Sequence, residues 1–287
     1  MKKFTKIMIA GAGNLGSQIA WQTAFSGFEV QVYDVFAEGL EKSKAYHKQY
    51  AQLFESRGVE AGKIQSTFDR LSYTTDLAEA AKGADLVSES VPESIEIKTN
   101  FYEALAKVAE EKTIFTTNSS TTIPSMYAAA TGRPEKFLAL HFANGIWDQN
   151  IAEIMGHAGT DQAYVKEVED FSVQIGMEPI LIHKEQPGYV LNSLLVPLLM
   201  SATDLFMNEV ADAKAIDTTW KIGTKAQLGP MYIIDMIGME TMYNVSKLMA
   251  DQTGDPQMQK RADFYKNNFL DKGIKGASTG KGFYEYK

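Results

Sequence analysis

Six residues near the N-terminus restrict this chain more than any others. They are "GAGNLG", residues 11 to 16, set between the apolar run "KIMIA" and the helix-spaced "SQIAWQTAFSG". In this G-x-G-x-x-G pattern the first glycine permits a tight turn. The second lets backbone approach a pyrophosphate, and the third lets the helix pack closely on the strand. A helix that opens there offers N–H groups to anionic phosphates. The pattern alone could mark an ordinary tight turn, but its flanks make it informative. "EVQVYD" follows as an alternating strand and ends on Asp34, 23 positions after Gly11 (34 − 11). A carboxylate there accepts hydrogen bonds from an adenine ribose and repels a 2′-phosphate, so NAD is expected rather than NADP. The expected cofactor residues of this region are Gly11, Gly13, Asn14, Leu15, Gly16 and Asp34.

Strand–helix alternation continues downstream. "ADLVSES", "TIFTTN" and "KFLALHF" read as strands, separated by helical segments such as "IEIKTNFYEALAKVAEE", and "EPILIH" reads as the last strand. Such alternation implies a parallel sheet covered by helices on both faces. From "QPGYVLN" onward helical periods take over. The expectation is a doubly wound α/β domain with a mainly parallel sheet over residues 1–186, and an all-helical domain over 187–287. The first helix of that second domain is apolar nearly all round, which predicts core or a subunit interface and hence a homodimer.

Composition narrows the functional classes. The net charge of −8 argues against nucleic acid as the main partner. The absence of cysteine excludes thiolate metal sites and thiol nucleophiles and is compatible with a reducing, cytoplasmic setting. The longest apolar stretch, "YVLNSLLVPLLMSATDLFM", is interrupted by Asn192, Ser193, Pro197 and Asp204 and makes a poor membrane span.

His141 is one of four histidines and ends an apolar run; Glu153 follows twelve positions later. A histidine suits proton transfer near neutral pH, and a carboxylate can fix its tautomer and stabilise its cation. A satisfied structural histidine is the alternative. "TTNSST" supplies Asn118 and Ser120, read either as polar site residues or as a turn that caps the next helix. Asn192 follows Pro187-Gly188 and could equally cap a helix.

Taken together, these segments resemble the L-3-hydroxyacyl-CoA dehydrogenase family over essentially the whole chain. "GAGNLGSQIA" resembles its cofactor loop, and "ADLVSESVPESIEIK" its acidic strand and following helix. "TTNSST" resembles Ser-Asn-Thr-Ser-Ser, and "HFAN" with Glu153 resembles the His-Phe-Phe-Asn-Pro segment and its glutamate. "QPGYVLN", "LGPMYIIDMIGME" and "STGKGFYEY" resemble later family motifs in the same order. The resemblance implies a catalytic His141–Glu153 pair, with Ser120 and Asn192 at the reacting oxygen. It also implies cofactor contacts at Glu93, Lys98 and Asn118, and a substrate contact at Asn144; Lys98 could instead be a solvated helix lysine. No metal is implied. The activity implied is NAD-dependent interconversion of a short 3-hydroxyacyl-CoA, 3-hydroxybutyryl-CoA above all, and its 3-keto partner.

The chain departs from the family pattern after His141. Gly145 replaces a proline, and Trp147 and Asp148 follow. These departures bear on which substrate fits. Coenzyme A needs local positive potential, and residues 41–66 offer Lys42, Lys44, Lys48, Arg57 and Lys63 against three acidic residues. Two rivals follow. One is a dehydrogenase of a free hydroxy acid or sugar acid, in which Lys221 or Lys225 would matter. The other is a nucleotide-binding protein without turnover.

Overall fold

The structure is a computed structural model that describes residues 3–286. The chain separates into two compact units, Met1–Val190 and Leu191–Lys287. The first unit therefore keeps Pro187 to Val190, a little past the boundary expected after Gln186.

In the first unit, strands β1 (Lys6–Ala10), β2 (Glu29–Tyr33), β3 (Leu71–Thr74), β4 (Leu86–Glu89), β5 (Ile114–Thr117), β6 (Phe137–Phe142), β7 (Ile151–Gly156) and β8 (Glu178–Ile182) form one sheet. Helices α1 (Asn14–Phe25), α2 (Ala37–Ser56), α3 (Ala61–Phe68), α4 (Leu77–Ala81), α5 (Ile95–Val108) and α6 (Gln162–Gln174) lie between the strands in sequence. Strand order is β3-β2-β1-β4-β5-β6-β7-β8. β1 thus has β2 on one side and β4 on the other, both parallel to it. This is a Rossmann-type doubly wound sheet, and the crevice beyond the carboxyl ends of β1 and β4 is its ligand-binding switch point.

The inner strands are apolar on both faces, as strands covered by helices on each side require. Ile7, Ile9, Val30, Val32 and Leu86 join one core; Met8, Ala10, Val87 and Phe115 join another. The sheet is mainly parallel, as expected, with one antiparallel pair among the described strands. β7 pairs antiparallel with β6. Only eight residues, 143 to 150 (150 − 143 + 1), separate the two strands, too few for the crossover that parallel neighbours need.

The second unit contains helices α7 (Leu191–Met207), α8 (Ala213–Thr224), α9 (Pro230–Ile237), α10 (Met239–Thr253) and α11 (Pro256–Asn268). Asp235, 1% exposed, accepts from the N–H groups of Phe283 and Tyr284 and from the Tyr286 hydroxyl, at 2.8–2.9 Å. A Cβ on Gly282 would lie 2.1 Å from this carboxylate, so "GKGFYEY" needs its glycine to dock. Among the described residues no helix is long and apolar enough to cross a membrane.

Candidate active site

The glycine loop is built as its spacing demands. Gly11 has φ +101°, and its N–H donates to the Tyr33 carbonyl at the end of β2. A Cβ on Gly11 would strike the Ser90 carbonyl at 2.4 Å, and one on Gly16 the Gly11 carbonyl at 2.0 Å. Gly13 differs: nothing lies within 4 Å of a Cβ built there. Two glycines are therefore required by the protein's own packing, and the third leaves space at the mouth of α1. Gly13 is also the N-cap of α1 and carries no capping side chain, so the first-turn N–H groups face that space with the helix's positive end. A pyrophosphate fits this cradle in both shape and charge. Leu15 is turned toward the core. Asp34 accepts from the N–H groups of Ala12 (2.9 Å) and Phe36 (3.0 Å), one on each oxygen. A carboxylate has about four acceptor directions, so Asp34 keeps capacity for two ribose hydroxyls.

The hairpin of β6 and β7 sets the second part. Its register places His141 directly opposite Glu153. Both are buried, at 4% and 1% exposed. His141 Nδ1 lies 2.8 Å from Glu153 Oε2, and His141 Nε2 lies 3.1 Å from Ser120 Oγ. A carboxylate only accepts, so Nδ1 carries the proton and Nε2 presents a lone pair. The other Glu153 oxygen accepts from the Val190 N–H at 2.9 Å. The Tyr189 ring packs 4.7 Å from the imidazole, on a backbone with φ +56°.

Ser120 and Ser119 are separated cleanly. Ser119 is turned away from the histidine, toward Glu93 and Thr122. Asn118 joins three strand ends: its N–H donates to the Glu89 carbonyl, its side-chain oxygen accepts from the Phe142 N–H, and its amide donates to Ser90 Oγ. Asn144 is exposed and accepts from Asn14 across a 3.4 Å contact.

Lys98 is no solvated helix lysine. It is 1% exposed and sits between Glu89 Oε1 (2.6 Å) and Glu93 Oε2 (3.2 Å). Burial alone would push its ammonium pKa down, but the two carboxylates raise it on balance. Glu93 moves the other way: burial pushes it up, while Lys98 and the hydroxyls of Ser119 and Thr121 hold it below the usual range. Asn192 lies in the first turn of α7, within the second unit.

Models of two domains cover this chain nearly end to end: the NAD binding domain of 3-hydroxyacyl-CoA dehydrogenase over residues 6–186 and the C-terminal domain of the same enzyme over 188–286. The chain belongs to the 3-hydroxyacyl-CoA dehydrogenase family. It is accordingly an NAD-dependent oxidoreductase. A probable 3-hydroxybutyryl-CoA dehydrogenase of Bacillus subtilis (strain 168) is 30% identical, covering 98% of this chain and 97% of that protein. The structure of (S)-3-hydroxybutyryl-CoA dehydrogenase from Ralstonia eutropha is 27% identical, with TM-score 0.87 over 99% of this chain and 100% of that one. A diketoreductase structure, described as acting on dicarbonyl compounds, is 46% identical, with TM-score 0.93 over 100% of both chains.

Within this family member, the departure after His141 is turned toward α2. Gly145 has φ +76°, which a proline cannot adopt, and donates its N–H to Gln18 Oε1 at 2.7 Å. Trp147 packs on Tyr50 (4.9 Å between ring centroids) and Phe54 (5.6 Å). Asp148 takes a two-pronged bond from Arg57, at 2.7 and 2.9 Å. These partners lie some ninety positions upstream, so no local spacing reveals them. They also alter the basic stretch. Lys42 pairs with Glu38, Lys44 with Glu41 and Arg57 with Asp148, which leaves less positive potential for a polyphosphate handle than the bare sequence suggests. Glu89 and Tyr189 went unassigned at the sequence level. Glu89 did leave a signal, a charge closing a strand that is otherwise buried on both faces.

Proposed function

We propose that this protein interconverts a 3-hydroxy and a 3-keto carbonyl compound, with His141 as the general base or acid and Glu153 as its orienting carboxylate. The supporting observation is the continuous line Ser120 Oγ – His141 Nε2, His141 Nδ1 – Glu153 Oε2. NAD, when bound, accepts or returns the hydride. Nε2 takes the proton of the alcohol in one direction and gives it back in the other. Glu153 holds the tautomer that keeps Nε2 open and stabilises the imidazolium that forms. Ser120 supplies a hydroxyl where charge develops on the substrate oxygen, and we assign Asn192 to the same oxygen. Glu93, Lys98 and Asn118 belong to the cofactor side, and Asn144 to the substrate side. We assign the protein to the cytoplasm and its α7 face to a homodimer. Leu194 and Leu205 of α7 are 70% and 44% exposed, and a monomer in sedimentation at micromolar concentration would refute the dimer.

The substrate has two readings. The family membership favours a short 3-hydroxyacyl-CoA such as 3-hydroxybutyryl-CoA. The closely similar diketoreductase and the paired lysines of α2 favour a dicarbonyl compound without coenzyme A. NADH oxidation with acetoacetyl-CoA and with a free diketo ester separates them by kcat/KM. Inactivity on both overturns the proposal.

A further inference from the structure

The Ser120 hydroxyl does not hold its own position. It stands on the loop after β5, and that loop is gripped by Glu93. Glu93 Oε1 accepts from the hydroxyls of Ser119 and Thr121 and from the Thr121 N–H. The opposite oxygen of Glu93 faces Lys98 Nζ. Lys98 in turn is held at 2.6 Å by Glu89. Glu89 closes β4, is 0% exposed, and also accepts from Val91 N–H (2.8 Å), Tyr102 OH (2.9 Å) and Thr117 Oγ1 (2.8 Å). It is thus fixed from β5, α5 and its own strand end.

A buried carboxylate is expensive unless fully paired, and four donors satisfy this one. Packing alone does not require it here, since an apolar residue would suit a strand buried on both faces. What the carboxylate adds is direction. It pins a flexible lysine at one point, and the lysine then sets the orientation of Glu93.

From this we infer that Glu89 is a positioning residue for Ser120, acting through Lys98 and Glu93 on the loop 119–121. Its carboxylate accepts from Lys98, Val91, Tyr102 and Thr117 rather than from Ser120 or His141, and its effect is to keep the serine hydroxyl in line with His141 Nε2. The inference rests on the functional reading above, in which Ser120 and His141 act on one oxygen.

The test is a double-mutant cycle on kcat at saturating NADH. Glu89→Gln keeps the shape and removes the charge that holds Lys98. Thr121→Val keeps the shape and removes one hydroxyl from the Glu93 grip at an exposed position. A reacting group displaced by about 1 Å costs on the order of 100-fold, so a fall in kcat of roughly 10- to 100-fold is expected for Glu89→Gln. A smaller fall is expected for Thr121→Val, with recovery in Thr121→Ser. The double variant should be about as slow as the worse single one, because both loosen one chain of contacts. Additive losses, or wild-type kcat in folded Glu89→Gln, overturn the assignment. If Glu89→Gln fails to fold, Thr121→Val decides: wild-type kcat there overturns it, and a loss restored by serine supports it. His141→Gln is the control. Normal turnover in that variant removes the functional reading itself, whereas an impaired His141→Gln beside an unimpaired Glu89→Gln removes only the positioning role.

Discussion

Two histidines of the first unit are buried almost equally, and their surroundings assign them opposite work. His47, 0% exposed on α2, has Nε2 at 2.9 Å from the Ser17 carbonyl and Nδ1 at 2.6 Å from the Tyr73 hydroxyl. A carbonyl only accepts, so Nε2 carries the proton and Tyr73 donates to Nδ1. Both nitrogens are spent on neutral protein groups, and Trp21 lies 5.9 Å away, ring to ring. Burial therefore holds the His47 pKa down, to about 4. His141 spends one nitrogen on a carboxylate and aims the other at a serine hydroxyl. Burial does not distinguish a structural imidazole from a working one; the charge and replaceability of its two partners do.

The comparison is broken most directly by removing each ring. His141→Gln retains hydrogen bonding but cannot take the proton, so kcat should fall by roughly 10²–10⁴, with NADH affinity nearly intact because the cradle at Gly11, Gly13, Gly16 and Asp34 is separate. Glu153→Gln should also lower kcat, and the double variant should be little worse than His141→Gln, since the two act as one unit. His47→Gln should show the reverse pattern, a lower melting temperature with folded protein turning over normally. Near-normal turnover in His141→Gln would make both histidines structural and leave only the fold in common with the family.

Folded His47 stays neutral down to about pH 4, while the unfolded chain binds its proton near 6.5. Between those values the unfolded state holds more protons, so stability must rise with pH across the window and fall as the medium is acidified through it. A shift of that size corresponds to roughly 3 kcal/mol. Urea midpoints measured from pH 7 to pH 4.5 should decline in the wild type and decline distinctly less in His47→Gln. Parallel curves would mean that the α1–α2 contact does not depend on a neutral imidazole.

Sequence alone distinguished these residues only partly, for physical reasons that differ from place to place. β1 and β6 carry apolar runs, and β4 and β5 each open on an apolar pair, because both faces of each are covered, and such segments are conspicuous. β3, "LSYT", is the edge strand beside β2 and buries fully only Thr74, so it carries no apolar run to notice. β7 is apolar enough, but its reversal is written in the length of the 143–150 connection rather than in its composition. Ser120, His141 and Glu153 could be named because the family motifs mark them, and the β6–β7 hairpin turns the spacing of twelve between His141 and Glu153 into a cross-strand pair. Glu89 could not be placed in the same way, since its partners come from β5 and α5 and nothing local marks them. Trp147 and Asp148 are legible only as a departure that bears on which substrate fits, for the same reason: the residues they meet, Tyr50, Phe54 and Arg57, are remote in sequence.

The tautomer of His47 depends on Tyr73 as well as on Ser17. If Tyr73 donates to His47 Nδ1, then Tyr73→Phe leaves a buried acceptor without its partner. That costs about 1–3 kcal/mol when a buried polar group loses its hydrogen bond. The aromatic body is retained, so loss of packing contributes little. The Lys44 ammonium lies 5.2 Å from the Tyr73 ring centroid, and Glu41, which pairs with Lys44, also raises the tyrosine pKa after burial itself. The tyrosine therefore keeps its proton throughout the neutral range and remains a donor. Removing that donor takes away one of the bonds that favour neutral imidazole, so the pH dependence of stability should become shallower as well as lower. Turnover should stay near wild type, because the Tyr73 hydroxyl bonds His47, and His47 in turn bonds the backbone of α1 at Ser17 rather than His141, Glu153 or Ser120. The readouts are the urea midpoint at pH 7 and its slope toward pH 4.5. An unchanged midpoint would show that the Tyr73 hydroxyl does not satisfy Nδ1, and with it the neutral assignment of His47, and its contrast with His141, would be lost.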